Sequence, residues 1–345
     1  MSQYAAGPVA ALRRIAFLLE RAREDTYKVK AFRGAAATIL PIPDDELARR
    51  VDDGTLTELP GVGASSARVI AAAVRGEVPE RLAKAESELA GPLTDGGGDG
   101  LRALLRGDLH SHSDWSDGGS PIEEMAFTAI ELGHDYLVLT DHSPRLTIAH
   151  GLSAERLTRQ LGVVEAVNAH LAGSGFTLLK GIEVDILDDG SLDQTDELLD
   201  RLDVRVASVH SKLKMDAAAM TRRMVGAVRN RHTNVLGHCT GRLVTGGRGT
   251  RGQSQFDAKA VFEACAEHDV AVEINSRPER RDPPTKLLEL ARDTGCLFSI
   301  DSDAHAPGQL DFLVLGCERA EAAGIDADRI VNTWPRERLL AWARK

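Results

Sequence analysis

The first part of the chain repeats apolar residues with the period of a helix. Apolar positions recur every three or four residues in four segments, which predicts amphipathic helices over residues 9–22, 27–40, 44–52 and 64–75. Residues 91–100 are rich in glycine and break this pattern, so they predict a flexible linker without helix or strand. With 345 residues the chain also exceeds what one core usually holds. We therefore predict an all-helical domain (residues 1–90), a linker (91–100) and a second domain (101–345).

Beyond the linker, short apolar runs recur, and each ends in a residue that can bind a metal ion. The first run, residues 104–112, ends in His-Ser-His, and two imidazoles two residues apart on a strand point to one face. The same pattern follows at residues 136–142, 177–183, 204–210, 234–238 and 296–305. In a parallel β/α barrel the C-terminal strand ends share one mouth. The pattern predicts a polynuclear metal site there, built from His110, His112, Asp117, His142, Glu183, His210, His238, Asp303 and His305.

Composition and charge narrow the class of protein. The four cysteines form no CxxC pair and occupy none of the nine positions, so we expect buried reduced thiols and not a disulfide framework or a thiolate zinc site. The sequence has no run of about 18 apolar residues and no signal-peptide pattern, so we expect a cytoplasmic monomer with no membrane partner. The net charge of −10 argues against a broad nucleic-acid surface, although residues 1–76 carry 11 Lys and Arg against 9 Asp and Glu.

Residues 56–70 (LTELPGVGASSARVI) resemble a helix-hairpin-helix DNA-binding element, with the hairpin at residues 60–63. Glycines there let the backbone approach a phosphate, and the amide groups that open the next helix can bind anions without reading base sequence. Residues 27–36 (YKVKAFRGAA) resemble the small N-terminal domain of family X DNA polymerases. The candidate DNA-binding residues are Lys28, Lys30, Arg33, Pro60, Gly61, Val62, Gly63 and Ser65. The alternative is an ordinary helical hairpin.

The same resemblance bears on lyase activity. In polymerase-beta-like members of that family, a lysine eight residues after the first hairpin glycine forms a Schiff base with an abasic sugar. Val69 occupies this position here and has no amine, so we expect no lyase activity of that kind. Lys28, Lys30 and Lys84 are the other amines in this part of the chain.

Six ordered motifs in residues 107–342 resemble the polymerase and histidinol phosphatase (PHP) domain. They are GDLHSHSDWSDG (107–118), LTDH (139–142), GIEVD (181–185), ASVH (207–210), LGH (236–238) and DSDAH (301–305). Residues 181–193 and 237–243 look like the PHP module attached to bacterial and archaeal family X polymerases. The resemblance implies an α/β fold, a distorted (β/α)7 barrel of the TIM type, with a trinuclear centre and phosphoesterase activity.

The resemblance also implies how the ligands divide among three divalent ions. His110, His112 and Asp303 would hold one ion, Glu183 would bridge it to a second held by His210 and His238, and Asp117, His142 and His305 would hold a third. Mixed imidazole and carboxylate ligands suit zinc, manganese or iron, and the sequence does not choose among them.

Phosphate ester hydrolysis needs a nucleophile at neutral pH, neutralised phosphoryl charge and a stabilised leaving oxygen, which three ions can supply. Glu183 is the central candidate catalytic residue. Lys212 and Arg242 follow strand ends and are candidate catalytic cations, and Arg242 and Arg277 are candidate phosphate ligands. The alternative for these cations is a solvated, salt-bridged loop residue. Asp141, Asp185 and Asp301 could orient ligand imidazoles or serve only as caps, and five other histidines (His134, His150, His170, His232 and His268) are expected to be structural or solvated.

In family X polymerases a palm and fingers usually separate the hairpin domain from the PHP domain, but here the linker joins them directly, so we predict no polymerase activity. We therefore predict a metal-dependent DNA phosphoesterase in repair, a 3′ to 5′ exonuclease or an enzyme that processes 3′ ends or abasic sites. A small-molecule phosphatase of the histidinol-phosphate type is the enzymatic alternative. A non-catalytic DNA-binding protein is the other.

Overall fold

A computed structural model describes residues 7–246 and 249–344. The chain divides into two compact units, residues 1–92 and 93–345. Within the described residues, no helix is both long enough and apolar enough to cross a membrane.

The first unit is helical, as predicted. Its helices are α1 (Pro8–Arg21), α2 (Thr26–Ile39), α3 (Asp44–Asp52), α4 (Ala64–Val74) and α5 (Glu80–Leu89). The first four follow the predicted segments to within one residue at each end, and α5 was not predicted. The apolar faces of α1, α2 and α4 form one core that includes Leu12, Ile15, Phe32 and Ile70. The unit therefore folds around its own core.

Local chemistry fixes the two helix starts beside the hairpin. Asp25 precedes α2, and its side chain accepts a hydrogen bond from the Tyr27 backbone N–H at 2.8 Å. Before α4, the backbone N–H of Gly63 donates to Ser66 Oγ at 3.0 Å. Gly61 has a φ of 75°, a left-handed conformation that glycine adopts without strain. The hairpin at residues 60–63 is therefore an ordered turn that is followed by a capped helix.

The second unit contains seven parallel strands in sequential order: β1 (Gly107–Ser111), β2 (Tyr136–Leu139), β3 (Thr177–Asp185), β4 (Val204–Ser208), β5 (Val235–Leu236), β6 (Ala271–Asn275) and β7 (Phe298–Asp301). Apart from two positions in β3, every strand residue is buried, which is typical of a parallel sheet covered on both faces. A parallel bridge between Ser111 and Ala304, with the His112 N–H donating to the Ala304 carbonyl at 2.8 Å, brings the first and last strand ends together. The sheet is a nearly closed barrel, which confirms the predicted fold class.

Helices alternate with these strands. They are α6 (Asp99–Arg102), α7 (Ile122–Glu131), α8 (Ala154–His170), α9 (Asp196–Leu199), α10 (Ala217–Val228), α11 (Ala258–Glu267), α12 (Thr285–Thr294), α13 (Leu313–Ala322) and α14 (Arg336–Ala343). Buried residues of α6 and α8–α13 form the main apolar core with strand residues such as Ile182, Ala207 and Ile274, whereas α7 and α14 belong to two smaller apolar clusters.

The predicted linker differs from a flexible segment at its C-terminal end. Asp99 and Gly100 begin α6, and the Gly98 N–H donates to the Glu321 carboxylate at 2.8 Å. A Cβ on Gly98 would lie 2.6 Å from the Val314 carbonyl oxygen. Glycine at this position therefore allows the backbone to pack closely against α13 instead of keeping the segment loose.

Candidate metal centre and nucleic-acid interface

The C-terminal ends of the strands bring all nine predicted ligands together. His110 lies in β1, Glu183 lies in β3, and the other seven lie in the segments that follow β1, β2, β4, β5 and β7: His112, Asp117, His142, His210, His238, Asp303 and His305. Three overlapping groups have ligand atoms within 4.8 Å of one another: His112, Asp117, His142 and His305; His110, His112 and Glu183; and His142, Glu183 and His210. The strands thus gather residues from 110 to 305 into one cluster.

Glu183 is at the middle of the cluster, and five imidazoles surround its carboxylate. Oε1 lies 2.8 Å from His238 Nε2 and 3.1 Å from His210 Nε2. Oε2 lies 2.9 Å from His142 Nδ1, 3.3 Å from His110 Nε2 and 3.5 Å from His112 Nε2. A carboxylate in this position can bridge ions on both of its oxygens.

Two aspartates complete the cluster on the side of β1 and β7. Asp117 Oδ1 lies 3.4 Å from Nε2 of both His142 and His305. Asp303 Oδ1 lies 3.4 Å from His112 Nε2 and 3.6 Å from His305 Nδ1. His305 and Asp117 are the more exposed ligands, which places that group nearest to solvent.

The cluster contains buried polar atoms that have no hydrogen-bond partner among the described residues. They are His110 Nε2, both ring nitrogens of His112, His142 Nδ1, Glu183 Oε2, His210 Nε2 and His238 Nδ1. Leaving a buried donor or acceptor unpaired costs about 1–3 kcal/mol. A cluster with this many unpaired polar atoms therefore requires a bound partner. Imidazole nitrogens and carboxylate oxygens are ligands for zinc, manganese or iron, and these residues therefore fit a divalent metal centre.

Electrostatics in the cluster also favour bound cations. Although burial opposes charge, the surrounding imidazoles hold the pKa of Glu183 well below its ordinary value. Burial lowers the pKa of His112 to about 3, assisted by repulsion from His305 and His142. By contrast, Glu183 and Asp117 raise the pKa of His142 to about 10 against the effect of burial. The carboxylates thus stay ionised and attract positive charge.

The backbone is strained at two ligands. His238 has a φ of 21° and Asp303 a φ of 50°, in a region that side chains other than glycine seldom adopt. Such strain is concentrated at functional sites, where the surrounding structure holds it in place.

Two of the ligand imidazoles lie beside buried carboxylates, and the first is His210. Asp185 Oδ1 lies 2.6 Å from His210 Nδ1, so Asp185 can orient this ring, which is one of the roles considered for it from the sequence. Asp141 instead accepts hydrogen bonds from Ser113, Ser116 and Gln160, and Asp301 accepts from Leu109 N and Asn332 Nδ2.

Sequence reasoning missed Glu273, whose Oε1 lies 2.6 Å from His110 Nδ1. Its signal was a carboxylate inside the apolar run 270–275, where a strand buried on both faces would otherwise carry only apolar side chains.

The predicted cations occupy different positions. Arg277 Nη1 lies 3.3 Å from His305 Nδ1 and 3.7 Å from Asp303 Oδ1, at the centre. Arg242 instead directs its guanidinium to the carbonyls of Arg280 and Arg281. Lys212 is exposed and pairs with Asp188. Arg280, which was not predicted, donates from Nε to Asp303 Oδ2 at 3.0 Å.

Trp115 and two of the histidines outside the cluster lie in other surroundings. Trp115 packs against the apolar core of the barrel, and its carbonyl accepts a hydrogen bond from Arg156. His134 Nε2 lies 3.0 Å from Arg102 Nη2, and His232 lies 3.6 Å from Asp196. These contacts agree with the structural roles expected for these two histidines.

In the helical unit, a groove of about 240 Å³ lies beside the hairpin. Its lining includes Tyr27, Lys28, Gly63, Ser65 and Arg81. Side chains at the surface thus surround the N-terminal end of α4, where free backbone amides favour an anion.

The other predicted DNA-binding residues divide between surface and core. Lys30, Pro60 and Gly61 are exposed, whereas Val62 is buried in the helical core. Arg33 forms a salt bridge with the buried Glu20, at 2.7 Å between Nη2 and Oε2. Its guanidinium is therefore held inside the unit.

The amines considered for lyase chemistry can also be placed. Val69 is fully packed in the helical core. Lys84 is exposed and lies 3.8 Å from Glu88.

Comparison with known proteins identifies a known domain in each of the two units. The PHP domain model matches residues 108–293, and a helix-hairpin-helix domain model matches residues 6–77. The DNA polymerase/3′-5′ exonuclease PolX of Bacillus subtilis is 37% identical over 228 residues, which cover 66% of this chain and 39% of PolX. The chain thus aligns with about two fifths of that relative's length.

Smaller relatives align over most of their length. The probable phosphatase YcdX of Escherichia coli K12 is 26% identical over 246 residues, which cover 67% of this chain and 91% of YcdX. The crystal structure of histidinol phosphate phosphatase from Lactococcus lactis, complexed with zinc, L-histidinol and phosphate, matches with a TM-score of 0.46 and 17% identity over 64% of this chain and 95% of that one.

The PHP model covers more than half of the chain, and the relatives that share it are named as enzymes acting on phosphoric esters. The expected family and enzyme class are therefore confirmed. The chain belongs to the PHP family of metal-dependent phosphoesterases and carries a helix-hairpin-helix domain before its barrel.

Proposed function

We propose that the protein is a metal-dependent DNA phosphoesterase that removes nucleotides from 3′ ends, or processes 3′ ends and abasic sites, during DNA repair. The observation that carries this proposal is the presence of a helix-hairpin-helix domain and a PHP metal centre on one chain. The hairpin offers phosphate binding that does not read sequence, and the barrel offers hydrolysis. The similarity to PolX, whose name includes a 3′-5′ exonuclease, supports this assignment.

The nine clustered ligands would hold three divalent ions, of zinc, manganese or iron. Bound ions of this kind supply a nucleophile at neutral pH and neutralise phosphoryl charge. Glu183 contributes ionised oxygens to both sides of the cluster, because its pKa is held low by the surrounding imidazoles. Arg277, which lies beside Asp303 and His305, would bind a phosphate oxygen of the substrate.

The loop that bears Arg277 is held from two sides. Arg242 donates to the carbonyls of Arg280 and Arg281, and Arg319 donates to those of Asp282 and Pro283. Arg242 would therefore support the phosphate-binding loop from behind. Lys212, paired with Asp188, would contribute little to phosphate binding.

Two further activities are not part of the proposal. Val69 fills the position of the Schiff-base lysine and is buried, so lyase chemistry at that position would have no amine. Only residues 78–107 separate the two matched domains, which leaves no room between them for a polymerase palm and fingers.

A small-molecule phosphatase is the second candidate function. The observation that favours it is the alignment with YcdX, a probable phosphatase. Because 91% of YcdX aligns with this chain, its remaining residues are too few for a further domain of the size of the helical unit. This function would leave the hairpin domain without a role. A DNA-binding protein with an inactive centre is a third possibility, and the complete set of nine clustered ligands argues against it.

DNA digestion separates these functions. The wild-type chain and Glu183→Gln would be incubated with Mn²⁺ and 5′-end-labelled DNA that is single-stranded, recessed or abasic. A ladder of progressively shorter labelled products that disappears in the variant would support a 3′ to 5′ exonuclease. Hydrolysis of small phosphate monoesters without DNA cleavage would establish the phosphatase instead.

Gly63 provides a matched test of the hairpin. It precedes α4, its φ of −89° suits any residue, and a Cβ there would meet no atom within 4 Å. Gly63→Asp and Gly63→Asn should both cap the helix, but only aspartate repels a phosphate. We expect DNA binding and cleavage to weaken in the aspartate variant alone. Equal behaviour of the two variants would remove the hairpin from the proposal.

A further inference from the structure

Six of the seven strands supply the nine ligands, either directly or from the segments that follow them, and β6 supplies none of them. At the corresponding position β6 carries Glu273 and Asn275, both fully buried. A buried carboxylate is costly unless it is paired, so its partners indicate its role.

Those partners are parts of the metal centre. Glu273 Oε1 lies 2.6 Å from His110 Nδ1, and Oε2 accepts the backbone N–H of His238. Oε2 also accepts from Asn275 Nδ2 at 3.2 Å, and the same amide nitrogen donates to Asp303 Oδ2 at 3.1 Å. Glu273 is thus connected to His110 and His238 directly and to Asp303 through Asn275, and these three ligands belong to β1 and to the segments that follow β5 and β7.

We propose that Glu273 is a shared positioning residue of the metal centre, which orients His110 directly and holds His238 and Asp303 in register with it. This inference rests on the metal centre of the proposed function but not on the choice of DNA as substrate. With Nδ1 donating to Glu273, His110 leaves Nε2 free of a proton and able to bind an ion. The bond to the His238 backbone also holds that residue at its strained φ of 21°.

The Asp185–His210 pair provides the internal comparison. Asp185 Oδ1 is 2.6 Å from His210 Nδ1, the same distance as in the Glu273–His110 pair. Asp185 orients a single ligand, however, whereas Glu273 uses both oxygens and reaches three. Neutralising Glu273 should therefore disturb the centre more than neutralising Asp185.

The amide substitution has a defined consequence. A carboxylate accepts on both oxygens, but glutamine offers one acceptor and one NH₂ group. If the NH₂ group faces His110, the imidazole must carry its proton on Nε2 and cannot bind an ion there. If it faces His238, two N–H groups oppose each other. In Asp185→Asn the amide oxygen can keep the bond to His210.

Metal binding by the whole chain tests the proposal. Zn²⁺ would be titrated against a chelator of known affinity, with ion content measured by atomic emission, for wild type, Glu273→Gln, Asp185→Asn and Glu263→Gln. The last variant removes one charge from the exposed surface of α11. We expect Glu273→Gln to weaken at least one ion by about 10- to 100-fold, Asp185→Asn to weaken one ion by less, and Glu263→Gln to match wild type.

A spectroscopic readout separates orientation from general destabilisation. The visible absorption of bound Co²⁺ depends on its ligands, and we expect the spectrum to change in Glu273→Gln but not in Glu263→Gln. A Glu273→Gln chain that binds Zn²⁺ with wild-type affinity and gives the wild-type Co²⁺ spectrum would overturn the proposal.

Two further results must be distinguished from the loss of metal binding: misfolding of the variant and a substrate other than DNA. If circular dichroism shows that Glu273→Gln does not fold, Asn275→Ser decides, because it keeps the Glu273–His110 contact and removes the link from Glu273 to Asp303, together with the bond that the Arg277 N–H donates to Asn275 Oδ1. Weaker Zn²⁺ binding would then support the proposal, and wild-type binding would overturn it. Normal metal binding without DNA cleavage by the wild type would contradict the nuclease function and leave this inference intact.

Discussion

The metal centre and the hairpin surface place their functional side chains by different means. At the centre, backbone geometry determines the positions: each ligand lies at or after a strand end and contacts other ligands, and most of them are buried, with Asp117 the exposed exception. At the hairpin, side-chain pairing decides which cations are available, and Lys28 pairs with Glu24 while Arg33 pairs with buried Glu20. We therefore expect the centre to tolerate few substitutions and most positions at the hairpin surface to tolerate them.

The strongest test of this contrast is the central carboxylate. Glu183→Gln should reduce phosphodiester hydrolysis by at least about 1,000-fold, ten times the loss typical of a residue that only orients a ligand, because Glu183 faces five imidazoles. DNA affinity, measured by fluorescence anisotropy, should remain at the wild-type value. Turnover above one hundredth of wild type would show that Glu183 is not central.

The second test asks whether Arg33 binds DNA at the surface or stabilises the helical unit. The side chains of Arg33 and Glu20 are 12% and 3% exposed, so Arg33→Met would remove the two hydrogen bonds that the guanidinium donates to this buried carboxylate. We expect the free energy of unfolding to fall by about 3 kcal/mol. DNA affinity of the folded variant should not change. The exposed Arg68 in α4 offers the control, since Arg68→Met should leave stability nearly unchanged.

A loss of DNA affinity without loss of stability in Arg33→Met would return this residue to the DNA-binding surface. Urea unfolding of the helical unit, followed beside the anisotropy measurement, distinguishes the two results.

The third test concerns a histidine outside the centre. Burial, assisted by Arg102, lowers the pKa of His134 to about 3. A folded-state pKa below the ordinary value near 6.5 means that the neutral ring is favoured in the fold. Its stabilising contribution is full above about pH 6.5 and decreases as the pH falls from 6.5 toward 3.

Between pH 7 and pH 5 this loss should reach about 2 kcal/mol in the wild type. His134→Gln has no ring to protonate and should show a flatter decline over the same range. Urea unfolding at several pH values measures both slopes, and identical slopes would show that His134 does not titrate in this way.

The sequence predicted more of the metal centre than of the hairpin surface, because backbone geometry positions the residues of the first and side-chain pairing those of the second. The barrel, the four helices and the nine clustered ligands follow from periodicity and from the convergence of strand ends, which are properties of the backbone. The roles of Arg33 and Arg242 did not follow, because they depend on partners distant in sequence: Glu20 for one and the carbonyls of Arg280 and Arg281 for the other.

The role of Glu273 was not predicted from the sequence for a related reason. A single carboxylate in an apolar strand indicates a buried partner but does not identify it, and His110 lies 163 residues away. Helix α5 and the packed end of the linker were also missed, because their positions are set by contacts within each unit more than by local pattern.

The smallest expected effect concerns Lys212, a cation that the sequence placed at the centre. Its ammonium pairs with Asp188 at an exposed position, where an ion pair contributes about 0–1 kcal/mol. Lys212→Met should therefore change the rate of hydrolysis by less than about fivefold. Arg280→Met, which removes the hydrogen bond to Asp303, should reduce it by about 10- to 100-fold. Measuring kcat and KM for both variants decides which cation acts at the centre, since a large loss of kcat in Lys212→Met would mean that its side chain leaves Asp188 when substrate binds.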